Sequence, residues 1–197
     1  MDDMIRLGNR KDFRVTVGKE KEGESLYRVA VHEAGHTIAA LVLHPERVPD
    51  ADILSCKESL NYMRMTDTNS SFLDDIRNSV CIALAGRAAE RTILGRISLC
   101  AKTDLEYAAT GIVTLLTEEA VCGYKYLATA SSIMNTISDK VAEELIRDFD
   151  MQMNMLDGKA ERIIKEKRRA FFVIADALLE YKALPREKLV ELYRTAS

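Results

Sequence analysis

Three prolines and nine glycines in 197 residues, with no run of either, leave this chain little punctuation. Glycine and proline are the strongest local terminators of regular structure, so their scarcity favours long helices over a fold of many tight turns. The expected fold class is mainly α: a helical domain with a small β element and a C-terminal helical extension. A chain of this length fits one domain. It is also long enough to bury a real core.

The strongest helical pattern covers residues 26–44, with Ser25 placed to cap it and Pro45 following its end. Spacing by three and four residues puts Val29, His32, Glu33, His36 and Ala40 on one face, and Ala30, Ala34, Ile38 and Leu41 on another. One face is apolar and the other carries reactive groups, which predicts a central, buried helix. Ahead of it, residues 1–24 are polar and charged with one short β-like run at 13–17. They are expected to be a leader or the remnant of a linker, with the domain spanning 25–197.

Residues 51–55 and 60–65 have the character of two short strands joined by a polar connection. A second helix is expected over 72–94, opened by an approximate capping box of Ser71 and Asp74 and stopped by Gly95. Thr103-Asp104-Leu105-Glu106 is a cleaner capping box and opens a third helix running toward 119. Residues 138–181 are helical in pattern, with a break expected near 155–158. Pro185 suits the first turn of a short final helix ending near 193.

Charge excludes some functions. With 28 Lys and Arg against 31 Asp and Glu, the net charge of −3 gives no global pull toward nucleic acid or an anionic membrane. The cysteines, Cys56, Cys81, Cys100 and Cys122, form no Cys-x-x-Cys pair and suggest no disulfide framework, so free thiols in a reducing compartment are expected. No apolar stretch approaches the roughly 18 residues of a membrane span. The charged N-terminus does not suit a signal peptide. A cytoplasmic or cytosol-facing location follows as an expectation.

The chemistry lies in His32-Glu33-Ala34-Gly35-His36. Histidines at i and i+4 stand one turn apart on one helix face. Their ring nitrogens can converge on a single zinc ion, each at about 2.0–2.1 Å. Glu33 is offset around the helix, where its carboxylate can reach a water at the metal and serve as general base. Only three histidines occur in the chain, and two stand in this motif. The bland alternative, two satisfied core histidines beside a buried carboxylate, leaves Glu33 with no obvious cation. Gly35 costs about 1 kcal/mol inside a helix relative to Ala, which is tolerable where something approaches the backbone closely. His44 lies roughly 12 Å further along the helix, too far for the same ion. The third ligand must then be a carboxylate or a thiolate. Asp104, in the first turn of a capped helix, is the best candidate. Cys100, four residues earlier, is an alternative thiolate or an ordinary loop thiol.

In order along the chain stand the segment His32 to His36, then Leu84-Ala85-Gly86-Arg87-Ala88-Ala89-Glu90, then Ala101-Lys102-Thr103-Asp104-Leu105-Glu106-Tyr107-Ala108. Together they resemble the peptidase domain of the FtsH-type ATP-dependent zinc metalloproteases, over residues 27–180. The resemblance implies a Zn2+ cofactor held by His32, His36 and Asp104, peptide hydrolysis with Glu33 as catalytic base, and polypeptide substrates. It implies an AAA+ ATPase in cis or in trans and leaves room for a homo-oligomer. The chain itself has no GxxxxGK[ST] loop and no membrane segment. Cys100 and Lys102 replace small residues of the family pattern near the metal, and Ala109 stands where a Thr is expected. Two rival functions are a proteolytically silent metal-binding adaptor or assembly module, and a metal-dependent hydrolase of a non-peptide substrate.

Arg87 and Glu90, one turn apart, are expected to give structural support near the site. The basic residues Lys159, Arg162, Lys165, Lys167, Arg168 and Arg169 alternate with Glu161 and Glu166 and suit a solvated helix face. Met151, Met153 and Met155 suit flexible packing or a partner contact.

Overall fold

The computed structural model describes residues 20–54, 72–98, 101–123 and 139–196. Six α-helices dominate them: α1 (Glu20–Leu43), α2 (Leu73–Ala89), α3 (Lys102–Gly123), α4 (Asp139–Glu166), α5 (Arg168–Tyr181) and α6 (Arg186–Ala196). The mainly α class is the observed one. The expected strand at 60–65 and the side chain of Cys100 lie outside the described residues.

α1 is the central element, packed against α2, α4, α5 and α6. It begins at Glu20, so Ser25 lies inside the helix and does not cap it. Glu20, Lys21 and Glu22 are good helix formers and extend it through Gly23. Every residue from Ala30 to Leu41 is buried. Gly35 of α1 lies against Ala85 and Ala89 of α2, and these small residues let the two backbones approach closely.

α2 starts after Phe72, an extended residue with no side-chain cap, while Ser71 of the expected capping box lies outside the described residues. Asp74 and Asp75 in its first turn complement the helix dipole. The helix then widens into a π-helical turn at Glu90–Leu94 and stops at Gly95, whose φ of 69° is left-handed, as expected for that residue. Arg91 braces this turn to α4 through Asp157 at 2.8 Å and Glu161 at 2.9 Å. α3 starts at Lys102, which puts Thr103 inside the helix and not at its cap.

α4 runs unbroken through residues 155–158, contrary to expectation. Gly158 weakens it locally, but Leu156, Ala160, Ile163 and Ile164 are buried along one stripe, and that burial outweighs about 1 kcal/mol of glycine cost. The break falls at Lys167, across which Lys167 N–H donates to Ile163 O and Phe171 N–H to Lys167 O, both at 2.9 Å. Lys165, Arg168 and Arg169 are exposed, as a solvated face requires.

Among the described residues the sheet is two-stranded. β1 (Ala51–Asp52) pairs antiparallel with β2 (Ala183–Leu184), Ala51 opposite Leu184 and Asp52 opposite Ala183. Lys182, at φ 67°, turns the chain out of α5 into β2. Pro185 precedes α6, and Arg186 N–H donates to Asp50 Oδ1 at 2.8 Å, so the last helix is opened by an acceptor 136 residues away.

Candidate metal centre

Helix geometry brings His32 and His36 to one face of α1, and the packing of α1 and α3 around α2 brings Asp104 to meet them. His32 Nε2 lies 3.0 Å from His36 Nε2 and 3.0 Å from Asp104 Oδ2; His36 Nε2 lies 3.5 Å from the same oxygen. All three residues are buried. Ligands at about 2.0–2.1 Å around a tetrahedral ion stand roughly 3.3–3.4 Å apart, so this donor set matches the spacing that zinc requires. At 3.0 Å the two Nε2 atoms either share a proton or leave both lone pairs for a cation between them. His44 is elsewhere, 3.6 Å from Glu46. Among the described residues this is the one group of three such side chains able to hold a metal ion.

The other nitrogen of each ring is engaged. His36 Nδ1–H donates to Ile82 O at 2.8 Å, a helix carbonyl of α2. His32 Nδ1–H donates to Glu90 Oε1 at 3.0 Å. Both bonds select the tautomer whose Nε2 lone pair faces the shared point, the arrangement metal-ligating histidines need.

Electrostatics follow from this crowding. Burial works against charge on His32, but the bonds to Asp104 and Glu90 prevail and push it up to about 10. Burial likewise opposes ionisation of Asp104, yet the two histidines hold its carboxyl well below the usual range. Glu90 is held down to about 2 against its own burial, by His32 and by the N–H and hydroxyl of Ser98. In each, the partners of the ionised form outweigh desolvation.

Glu33 is different. It is 5% exposed, and its Oε2 is buried with no hydrogen-bond partner among the described residues. Burial raises its carboxyl above the ordinary value, against the pull of His36 and His32, with Asp104 and Asp52 raising it further. It stands beside the donor set without belonging to it.

Sequence reasoning placed Gly35 and Glu90 near the site but not their contacts. A Cβ on Gly35 would lie 2.5 Å from Ala85 O and 2.7 Å from Ala89 Cβ. A Cβ on Gly86 would lie 2.5 Å from His36 Nε2 and 2.7 Å from His32 Nε2. Gly86 therefore gives the two rings their space; the signal was the same one that drew attention to Gly35, a glycine inside a helix. Glu90 takes its bonds from His32, Ser98 and Arg28, and Arg87 has no part in them. Lys102 points away, 80% exposed and 3.4 Å from Glu106.

The sequence model of peptidase family M41 matches residues 19–192. The chain is 27% identical over 188 residues to the ATP-dependent zinc metalloprotease FtsH 2 of Thermoanaerobacter sp. (strain X514), a match covering 91% of this chain and 36% of that protein. It is 28% identical over 207 residues to the ATP-dependent zinc metalloprotease FtsH of Streptococcus pneumoniae serotype 4, covering 98% and 31%. To the FtsH of Bacillus subtilis (strain 168) it is 25% identical over 207 residues, covering 96% and 32%. The chain spans about a third of the length of these relatives.

Proposed function

The chain belongs to peptidase family M41, and from that membership we propose that it hydrolyses peptide bonds in polypeptides, with zinc held by His32, His36 and Asp104 and with Glu33 as general base. The cofactor is zinc. The observation that carries the reading is the meeting of three buried donors within 3.5 Å, beside a buried carboxylate with one oxygen unpartnered among the described residues.

When bound by His32, His36 and Asp104, zinc would supply a Lewis acid to acidify water and polarise the scissile carbonyl. The protein does the rest. His36 is oriented by the Ile82 carbonyl and His32 by Glu90, so both present Nε2 to the metal. Asp104 would add one anionic ligand to the two rings, with His32 giving up a proton as the metal binds. Glu33 takes the proton of the attacking water and passes it to the departing amine nitrogen. Burial raises its affinity for protons, which favours taking one from water.

The relatives are named ATP-dependent. An AAA+ ATPase, in cis or in trans, would supply unfolding for folded substrates; the chain alone would cleave loosely folded ones. No helix among the described residues is long and apolar enough to cross a membrane. A cytoplasmic or cytosol-facing peptidase domain fits this reading.

The test is zinc by elemental analysis beside casein cleavage, without ATP, for the same preparation. Close to one zinc per chain and chelator-sensitive cleavage are expected. Zinc with intact casein would favour the silent adaptor. Absence of zinc would refute the ligand assignment.

A further inference from the structure

We infer that Arg28 and Ser98 are positioning residues for the metal centre: together they lock the Glu90 carboxylate that orients the His32 ring. This rests on the proposal that His32 is a zinc ligand.

The two histidines are supported unequally. His36 leans on Ile82 O, a backbone atom held by its helix. His32 leans on a side chain, and a side chain orients a ring only if something orients it. Glu90 has rotatable bonds and sits where α2 widens into the π-helical turn. It is fully buried, so water does not hold it.

Arg28 and Ser98 complete its support. Ser98 N–H donates to Glu90 Oε2 at 2.6 Å, and the Ser98 hydroxyl donates to Oε1 at 2.9 Å. Arg28 Nη1 donates to that hydroxyl oxygen at 3.1 Å and lies 3.5 Å from Glu90 Oε1. With its oxygen occupied by Arg28, the hydroxyl has its one proton directed at Glu90. Oε1 thus sits among His32, the Ser98 hydroxyl and Arg28, while Oε2 is anchored by backbone. Both carboxylate oxygens are taken, and rotation about the last side-chain bond would break several bonds at once.

Placement on the elements makes this a relay to the ligand. Arg28 lies four residues before His32, on the same face of α1, so cation and ligand are fixed by one helix. Ser98 follows the left-handed turn at Gly95, which brings the chain back over Glu90. An ordinary surface ion pair is worth little. This guanidinium differs because it reaches a carboxylate with no exposure and a hydroxyl bonded to that same carboxylate.

The experiment measures zinc affinity of the purified chain by competition with a chromophoric chelator, alongside thermal unfolding of the zinc-free protein. Arg28→Met keeps the stem and removes the cation; Ser98→Ala removes the hydroxyl and keeps the backbone bond. Each should weaken zinc about 10- to 100-fold, the range for lost outer-shell partners of metal ligands. The double variant should be little worse than the weaker single one, since both act through Glu90. Arg28→Lys should recover part of the loss, and kcat for casein should fall with KM nearly unchanged. Affinities within about two-fold of the parent for both single variants, or fully additive losses, would overturn the inference. If zinc-free Arg28→Met is unfolded, Ser98→Ala and Arg28→Lys decide alone. His32→Ala separates the two levels: if it keeps parental affinity, the ligand assignment fails and takes this inference with it. If only His32→Ala loses zinc, the relay alone is wrong.

Discussion

A Cβ at position 86 would stand 2.5 Å from His36 Nε2, closer than such atoms come without something moving. Alanine in place of an interior helical glycine ordinarily stabilises a helix by about 1 kcal/mol. At this position that gain opposes displacement of two rings. Gly86→Ala is expected to keep its far-ultraviolet circular dichroism and lose most of its zinc. Full zinc content in that variant would show that the rings can yield. Glu33 sits on the other side of the argument, near the donors but outside them. Glu33→Gln preserves shape and cannot take the proton, so turnover should fall about 10²–10⁴-fold while zinc remains. Turnover within a few-fold of the parent would remove Glu33 from its role, and loss of zinc would make it a ligand or a support. Glu33 was legible as a candidate base because its offset from His32 is a property of helix pitch. The Gly86 contact was not, because it lies between two helices.

Between elements, the decisive feature is how closely α1 and α2 approach. Ala85 O would be 2.5 Å from a Cβ on Gly35, and a helix carbonyl cannot swing aside as a flexible side chain can. Gly35→Ala should therefore lower the melting temperature despite its better helix propensity. An unchanged or higher value would mean the helices separate at little cost. Cys81 reports on another side of α2, toward Asp157, Lys159 and Arg162 of α4. It is fully buried on α2, and burial pushes its thiol up to about 12. The thiolate is the reactive form, and a raised pKa leaves roughly one in ten thousand ionised at pH 8. Alkylation of the native protein at that pH should spare Cys81, and denaturant should expose it, as read by peptide mass mapping. Rapid native labelling would place the thiol outside the core. These contacts join residues that each lie in a legible helix; their pairing was outside the reach of local pattern.

Across the whole molecule, the proposed ligands come from α1 and α3, and their supports from α2 and the turn that follows it. An ion held there would tie together elements far apart in the chain, and a ligand that binds only the folded state stabilises it by mass action, about 2.7 kcal/mol at a hundred times its dissociation constant. Chelation should lower the melting temperature and added zinc should restore it; a melting temperature indifferent to zinc would argue against the site. The sequence by itself determined the helical class, the pairing of His32 with His36 and the stop at Gly95, because each depends on neighbours within a turn or two. Asp104 was singled out by its helix position and by family resemblance, not by spacing. Tertiary structure alone decided the Glu90 bond across 58 residues, the opening of α6 by Asp50, and the pairing of β1 with β2. It also moved the break in α4 from residues 155–158 to Lys167, since burial of one face outweighs a single glycine. The division has one physical cause: helix pitch converts short spacing into geometry, and beyond a few turns only packing does.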